Sequence, residues 1–179
     1  MLPREIIDYW LGVGEAKWYS VDPALDADVT ARFGAAWREA RDGAFSDWET
    51  SAEGALGLLI LLDQFPRNMF RGLGQAFSTD AMARDVARRA LAKGYDLAFP
   101  ARARIFFYLP LMHSENLADQ DMCVHLVQTR LGSASTNYPF ALSHRETIRK
   151  FGRFPMRNAA LGRVSSADEA ATIAAQNGH

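Results

Sequence analysis

Apolar residues recur every three or four positions along most of this chain, which is the spacing of one face of an α-helix. The clearest case runs from about 23 to 42, where Leu25, Val29, Phe33 and Trp37 would lie on one side. Segments that alternate apolar and polar residues, as half-buried strands do, are hard to find. We therefore predict an all-α protein.

Proline, glycine and capping residues divide the chain into seven or eight helices. The predicted ranges are about 3–11, 23–42, 50–64, 79–93, 100–112, 114–131 and 137–151, followed by a short helix that begins at 166. Thr50 in TSAE and Ser166 in SADE are predicted to open capping boxes. Short connections predict antiparallel helical hairpins in a single domain, residues 1–179, with a frayed tail from about 177.

The third helix is apolar on every side and then meets a polar segment. Its run Leu58–Leu62 predicts that other helices surround it. Pro66 disfavours helical geometry at Phe65, so this helix is expected to end near Gln64. Asp63 would then lie in the last turn, where the helix dipole disfavours a carboxylate unless a cation is near.

Composition and charge exclude several classes of function. The chain has 179 residues, of which 49% are hydrophobic and 23% charged, as in ordinary soluble proteins. A net charge of -1 gives no reason to expect nucleic acid or a membrane surface as a partner. The single cysteine, Cys123, excludes a disulfide within the chain and fits a reducing compartment. With no signal peptide and no apolar run long enough to cross a bilayer, we expect a soluble, cytoplasmic protein.

Charge is unevenly distributed along the sequence. Residues 1–63 contain five Lys and Arg against twelve Asp and Glu, whereas residues 141–163 contain six Lys and Arg against one acid, Glu146. This asymmetry is typical of solvated faces. The alternatives are that the basic segment offers a local anion site or docks against the acidic half.

A short motif occurs twice, as DQFPRN at 63–68 and RFPMRN at 153–158. One interpretation is structural: Asp63 accepts hydrogen bonds from an arginine and from loop amides, while Asn68 and Asn158 satisfy loop backbone. The other interpretation is a ligand pocket, because the guanidinium forks of Arg67 and Arg157 suit carboxylate or phosphate groups.

The segment FYLPLMHSENLADQ, 107–120, contains a second polar corner with Ser114 as the expected N-cap of the next helix. His113 and Glu115 lie beside it, and either Glu115 or Asp63 could orient His113 for acid–base catalysis. A metal site would also need His144, but His-x-Glu is not a recognised metal spacing, so no metal is predicted.

Three motifs in this order resemble the bacterial domain-of-unknown-function family 924: LLDQFPRNMFRG, YLPLMHSENLADQ, and FGRFPMRNAALGR followed by SSADE. The segments IIDYWLG and FSDW fit its opening, so the resemblance covers nearly the whole chain. The resemblance implies a tetratricopeptide-like helical superhelix, and it does not point to any particular reaction or cofactor. The polar signature of the family corresponds here to Asp63, Gln64, Arg67, Asn68, Arg71, His113, Ser114, Glu115, Gln120, Arg153, Arg157, Asn158 and Arg163. Met156 stands where the family usually has His, so a mechanism that needed that His would not operate here.

Three functions remain open on the sequence. The first is a binding module with an arginine-lined pocket for a small anionic ligand or an acidic peptide. Its predicted ligand-binding residues are Asp63, Gln64, Arg67, Asn68, His113, Glu115, Arg153, Arg157 and Asn158. The second is a hydrolase- or lyase-type enzyme that uses His113 with Glu115 or Asp63. In the third, the motifs only lock helix ends, and another surface forms a homodimer or binds a partner. No cofactor is expected in any of them.

Overall fold

The structure is a computed structural model that describes residues 1–177, with side-chain burial described through residue 175. Every regular element in this part of the chain is a helix and no strand occurs there, which confirms the predicted all-α class. The helices of eight or more residues within it are α1 Pro3–Val13, α2 Pro23–Arg41, α3 Ala52–Leu59, α4 Asp80–Ala92, α5 Leu117–Leu126, α6 Asn137–Phe151 and α7 Ala167–Asn177.

Shorter helical segments join these helices. Four are α-helical turns: Glu15–Trp18, Phe65–Met69, Ala101–Arg104 and Leu109–Met112. Five are 3₁₀ turns: Ser46–Thr50, Gly74–Phe77, Tyr95–Ala98, Ile105–Phe107 and Pro155–Arg157. Two are π-helical: Ile60–Gln64 and Val127–Leu131. The helix predicted over 100–112 is thus a series of short segments, because Pro110 cannot donate a backbone hydrogen bond and instead occupies the first turn of a new helix.

The predicted end of the third helix at Gln64 is wrong. The chain continues from α3 through the π turn Ile60–Gln64 into Phe65–Met69, and Phe65 itself is helical, with φ -60° and ψ -38°. In the π turn the Phe65 N–H donates to the Ile60 carbonyl, five residues earlier. A new first turn begins there, and Pro66 occupies a position that tolerates proline.

Two of the predicted N-caps lie at the wrong residue. The Thr50 hydroxyl donates to the Asp47 carbonyl at 2.7 Å, and Ser51 caps α3 by accepting from the Gly54 N–H at 3.0 Å. The preceding 3₁₀ turn ends at Thr50. The extended backbone that an N-cap requires therefore occurs at the next residue, Ser51.

The other error is at α5, where the Asn116 side chain is the cap and accepts from the Ala118 N–H at 2.9 Å. The Ser114 hydroxyl instead donates to Asp119 at 2.6 Å. The capping box at 166–169 is confirmed, since Ser166 and Glu169 each bond the other's backbone N–H.

The chain divides into two compact units. The N-terminal unit comprises Met1–Arg71 and Gln75–Pro110, and the C-terminal unit comprises Gly72–Gly74 and the chain from Leu111 onward. The predicted single domain over 1–179 stays a prediction, and the predicted frayed tail lies beyond the described residues except for residue 177.

The core of the N-terminal unit is built around α3 and the π turn that follows it. Residues 54–66 are all buried, and α1, α2 and α4 pack against this segment. The prediction that other helices surround the run Leu58–Leu62 is therefore confirmed. In the C-terminal unit α5 packs on α6, and α7 contacts the turn Pro155–Arg157.

Candidate functional site

The polar residues that follow the apolar helix form a buried cluster in the N-terminal unit. Asp63 is 1% exposed and accepts a hydrogen bond from the Gln64 side-chain amide. Arg67 donates to both Asp80 carboxylate oxygens at 3.1 Å, and its Nη1 lies 3.3 Å from Asp63 Oδ1. It also donates to the Asp63 backbone carbonyl. Since Asp80 is the first residue of α4, this cluster fastens the π turn to that helix.

Asn68, the last member of the first motif, binds an acid on α2. Its Nδ2 donates to Asp26 Oδ1 at 2.8 Å, and Arg71 donates two bonds to the same carboxylate at 2.8 and 2.9 Å. The hydrogen bonds from Arg71, followed by that from Asn68, outweigh partial burial and lower the pKa of Asp26. Asn68 thus links the segment Phe65–Met69 to α2 through a hydrogen bond between side chains.

In the C-terminal unit, Glu115 accepts from three donors. Arg163 donates to its two oxygens at 2.9 Å each, and the backbone N–H of Phe154 donates at 2.9 Å. Partial burial opposes ionisation of Glu115, but the bonds from Arg163 and Phe154 outweigh it and lower the pKa of Glu115. Glu115 is accordingly an ionised anchor that holds Phe154, at the start of the second motif.

The corner around Ser114 is also held by internal hydrogen bonds. The Gln120 side-chain amide donates to the carbonyls of Met112 and Ser114, each at 2.6 Å. With the bond from the Ser114 hydroxyl to Asp119, these contacts close the connection between Leu109–Met112 and α5. Ser114 and Gln120 are both buried, so the corner is a packed structural element.

Arg153 and Asn158 lie at the two ends of the second motif. They stabilise the first turn of α7 and the residues just before it. Arg153 donates to both carboxylate oxygens of Glu169, at 2.7 and 2.8 Å. These bonds, and then the bond from the Ser166 N–H, lower the pKa of Glu169 to about 2. Asn158 is 1% exposed and donates to Ser165 at 3.0 Å. Both motif residues therefore contribute to the ordered start of α7.

Arg157 lies on a cleft within the same unit. The cleft has a volume of about 250 Å³ and is lined by Ser143, His144, Thr147, Phe154, Pro155, Met156, Arg157 and Thr172. The Arg157 guanidinium stacks on the Phe154 ring, with Cζ 4.6 Å from the ring centroid, and Nη2 donates to the His113 carbonyl at 2.8 Å. The stacking on Phe154 and the bond to the His113 carbonyl thus help to hold this guanidinium at the cleft.

The structure brings the predicted site residues together in two sets, one in each unit. Asp63, Gln64 and Arg67 share one cluster in the N-terminal unit, and Glu115 and Arg157 both contact the Phe154 segment in the C-terminal unit. The sequence leaves open whether His113, His144 and Asp63 converge; Asp63 belongs to the N-terminal unit, and His113 and His144 belong to the C-terminal unit.

Sequence reasoning missed the acids that pair with these arginines. Asp80, Asp26 and Glu169 lie 13, 45 and 16 residues from Arg67, Arg71 and Arg153, so no helical spacing connects them. Of these three acids, only Glu169 is indicated by the sequence, as the last residue of the predicted capping box SADE. The sequence suggests His144 only as a metal ligand, whereas in the structure it lines the cleft. Among the described residues, no group of three or more His, Cys, Asp and Glu side chains is arranged to hold a metal ion.

These observations define an all-α protein whose arginine-rich motifs join helix ends. The chain belongs to the family described as "Bacterial protein of unknown function (DUF924)", whose model matches residues 6–177. It is also similar to a solved structure titled "Structure of Protein of Unknown Function ATU0120 from Agrobacterium tumefaciens". That similarity has 37% sequence identity and a TM-score of 0.91 and covers 96% of each chain.

A search of curated proteins found no match. None of the helices within residues 1–177 combines the length and the apolar character that a bilayer crossing needs.

Proposed function

We propose that this protein is a binding module and that the cleft beside Arg157 takes a small anionic ligand or the acidic end of a peptide. The observation that carries this proposal is the placement of an oriented guanidinium and an imidazole, from Arg157 and His144, on one cleft. Guanidinium forks bind carboxylate and phosphate oxygens in pairs, with charge-assisted hydrogen bonds.

The fixed orientation of Arg157 favours binding because its side chain loses little further conformational entropy when a ligand binds. An exposed arginine loses much rotamer freedom when it is fixed, whereas Arg157 is already held by Phe154 and by the His113 carbonyl. The basic character of residues 141–163, which contribute most of the cleft lining, favours an anion further.

The size of the cleft supports a small ligand. At about 250 Å³ it lies just below the range of roughly 300–1,000 Å³ that is usual for drug-sized ligands. A single amino acid or a simple organic acid fits that volume better than a nucleotide does.

Isothermal titration calorimetry at constant ionic strength would test the proposal, with acetate, citrate and inorganic phosphate as probes. We expect at least one probe to bind the wild type and to lose about tenfold or more in affinity in Arg157→Gln. The matched control is Arg149→Gln, because Arg149 is an exposed arginine of α6 that pairs with Glu146. Unchanged binding in Arg157→Gln, or no binding of any probe, would contradict the proposal.

A stabilising role for the remaining motif residues is the second candidate. The guanidinium groups of Arg67, Arg153 and Arg163 each bind a carboxylate of this chain, which favours the use of these motifs as helix-end locks. On this view the surface that acts on a partner lies elsewhere. The enzyme hypothesis based on His113, the tetratricopeptide-like stacking, the cytoplasmic location and the homodimer stay predictions of the sequence.

A further inference from the structure

The hydroxyl groups on the cleft present acceptors to a ligand. Thr147 and Thr172 each donate their hydroxyl hydrogen to the backbone carbonyl four residues earlier, at 2.9 Å. A hydroxyl has one hydrogen and two lone pairs, so in this arrangement the oxygen is left as an acceptor. A ligand that binds beside these threonines therefore gains from having its own N–H or O–H donor.

His144 adds a second constraint on the ligand. Its Nδ1 lies 2.8 Å from the Phe140 carbonyl oxygen, so Nδ1 carries the hydrogen. In the neutral ring Nε2 is then the acceptor, and in the protonated ring it becomes a second donor. Together with the two threonine oxygens, a neutral His144 ring makes the side of the cleft formed by α6 and α7 rich in acceptors.

One wall of the cleft is apolar. Phe154 and Pro155 are buried, and Met156, which follows them, is 49% exposed. The Phe154 ring also meets the His144 ring edge-on, with centroids 5.4 Å apart. An aliphatic group that covers Met156 and this wall would remove apolar surface from water, which favours binding by about 25 cal/mol per Å².

From these three features we infer that the ligand is an N-acylated α-amino acid with an apolar side chain, either free or as the last residue of a peptide. Its carboxylate would bind Arg157, its amide N–H would donate to a threonine hydroxyl oxygen, and its side chain would pack on Met156 and Phe154. This inference rests on the proposed anion-binding function and names the ligand class for the same cleft.

Inorganic phosphate matches the cleft less well. At neutral pH phosphate carries one or two O–H donors, but its other oxygens are acceptors that are best bound by several converging donors, and it has no apolar body. Here the hydroxyl hydrogens of Thr147 and Thr172 are used by backbone carbonyls, and one guanidinium nitrogen of Arg157 already donates to His113. A monoanion with an N–H donor and an apolar body satisfies more of the groups on this surface.

Calorimetric titration of the full chain with N-acetyl-L-leucine tests the inference. Three comparison probes remove different features: N-acetyl-L-leucinamide lacks the carboxylate, acetate lacks both the apolar side chain and the N–H, and phosphate lacks the apolar body and the amide. We expect N-acetyl-L-leucine to bind at least about tenfold more tightly than each of them, because each lacks a charge-assisted bond or apolar burial. A tetraglycyl-leucine peptide separates the two sources: binding equal to that of N-acetyl-L-leucine identifies a peptide end, and loss of binding identifies a free acyl amino acid.

Two variants connect this binding to the cleft. Arg157→Gln removes the cation, and Met156→Glu places a negative charge on the apolar wall without touching the bond to the His113 carbonyl. Both are expected to weaken binding of N-acetyl-L-leucine about tenfold or more, whereas Arg149→Gln leaves it unchanged. If phosphate or citrate binds through Arg157 but N-acetyl-L-leucine binds no better than its amide, the inference is wrong and the anion-binding function stands. If Arg157→Gln changes no binding at all, both are wrong.

Discussion

The Thr79 hydroxyl donates a hydrogen bond to the Leu62 carbonyl oxygen at 2.6 Å, in the interior of the N-terminal unit. Leu62 lies four residues before Pro66, which has no N–H with which to bond that carbonyl. Thr79 is 0% exposed, so water does not supply the missing donor there. A side chain that lies 17 residues away thus supplies the donor that Pro66, in the first turn of Phe65–Met69, lacks.

Replacement of Thr79 should test that compensation. Thr79→Val keeps the shape of the side chain but leaves the Leu62 carbonyl without this donor, so we expect the free energy of unfolding to fall by about 1–3 kcal/mol. Urea unfolding followed by circular dichroism measures the loss. Thr30→Val is the control, because the exposed Thr30 hydroxyl bonds a carbonyl of its own helix, and its effect should stay within about 0.5 kcal/mol. Equal losses in the two variants would contradict this account.

Gly54, in the first turn of α3, leaves no room for a side chain. A Cβ atom at this position would overlap the backbone carbonyl of Trp48. We expect Gly54→Ala to destabilise the protein by about 1–3 kcal/mol or more, because backbone has to move. Gly12→Ala is the matched substitution: Gly12 lies in α1 with open space around it, and alanine should stabilise the protein by roughly 0.5–1 kcal/mol. Thermal unfolding of the two variants should therefore shift in opposite directions.

The pair of Arg153 and Glu169 should make stability depend on pH in a defined window. The pKa of Glu169 is lowered to about 2 in the folded protein, from an ordinary value of 4.5, chiefly by the bonds from Arg153. A carboxylate whose pKa falls on folding stabilises the folded state fully above its unfolded pKa, and this contribution is lost as pH falls through the folded pKa. The difference in unfolding free energy between wild type and Glu169→Gln should therefore be constant above about pH 5 and shrink between pH 4.5 and pH 2.

Urea titrations at a series of pH values would measure that difference. Glu146→Gln provides the control, because Glu146 forms an exposed pair with Arg149 and its replacement should cost less than about 1 kcal/mol. A Glu169→Gln difference that stays flat down to pH 2 would show that the ion pair does not contribute as described.

Cys123 should be unreactive in the folded protein. It is 0% exposed on α5, and burial raises the pKa of its thiol to about 12, so both access and thiolate formation are suppressed. We expect iodoacetamide to modify Cys123 at neutral pH far more slowly in native buffer than in guanidinium chloride, as mass spectrometry would show. Similar rates in the two solutions would mean that the C-terminal unit opens far more readily than its packing indicates.

Much of the secondary structure could be predicted because it depends on neighbours in sequence. The predicted helix over 23–42 corresponds to α2, Pro23–Arg41, and the predicted helix ending before Gly94 corresponds to α4, Asp80–Ala92. In both helices the apolar spacing, the N-terminal signal and the glycine or polar residue at the C-terminus indicate the observed boundaries to within about one helical turn. The errors at Thr50 and Ser114 are of one kind, in which adjacent polar residues competed for the cap and local geometry selected Ser51 and Asn116.

The sequence by itself determined the all-α class, the positions of the long helices and the arginine-rich motifs, because periodicity and capping act over a few residues. Only the tertiary structure decided which acid binds each arginine and where the second motif forms a cleft. Glu115 and Arg163 are 48 residues apart, and nothing in local spacing indicates that they bind each other. Such pairs are fixed by the packing of helices, which brings together groups that no short sequence pattern connects. The free energy of that packing depends on the apolar surface buried in the whole core.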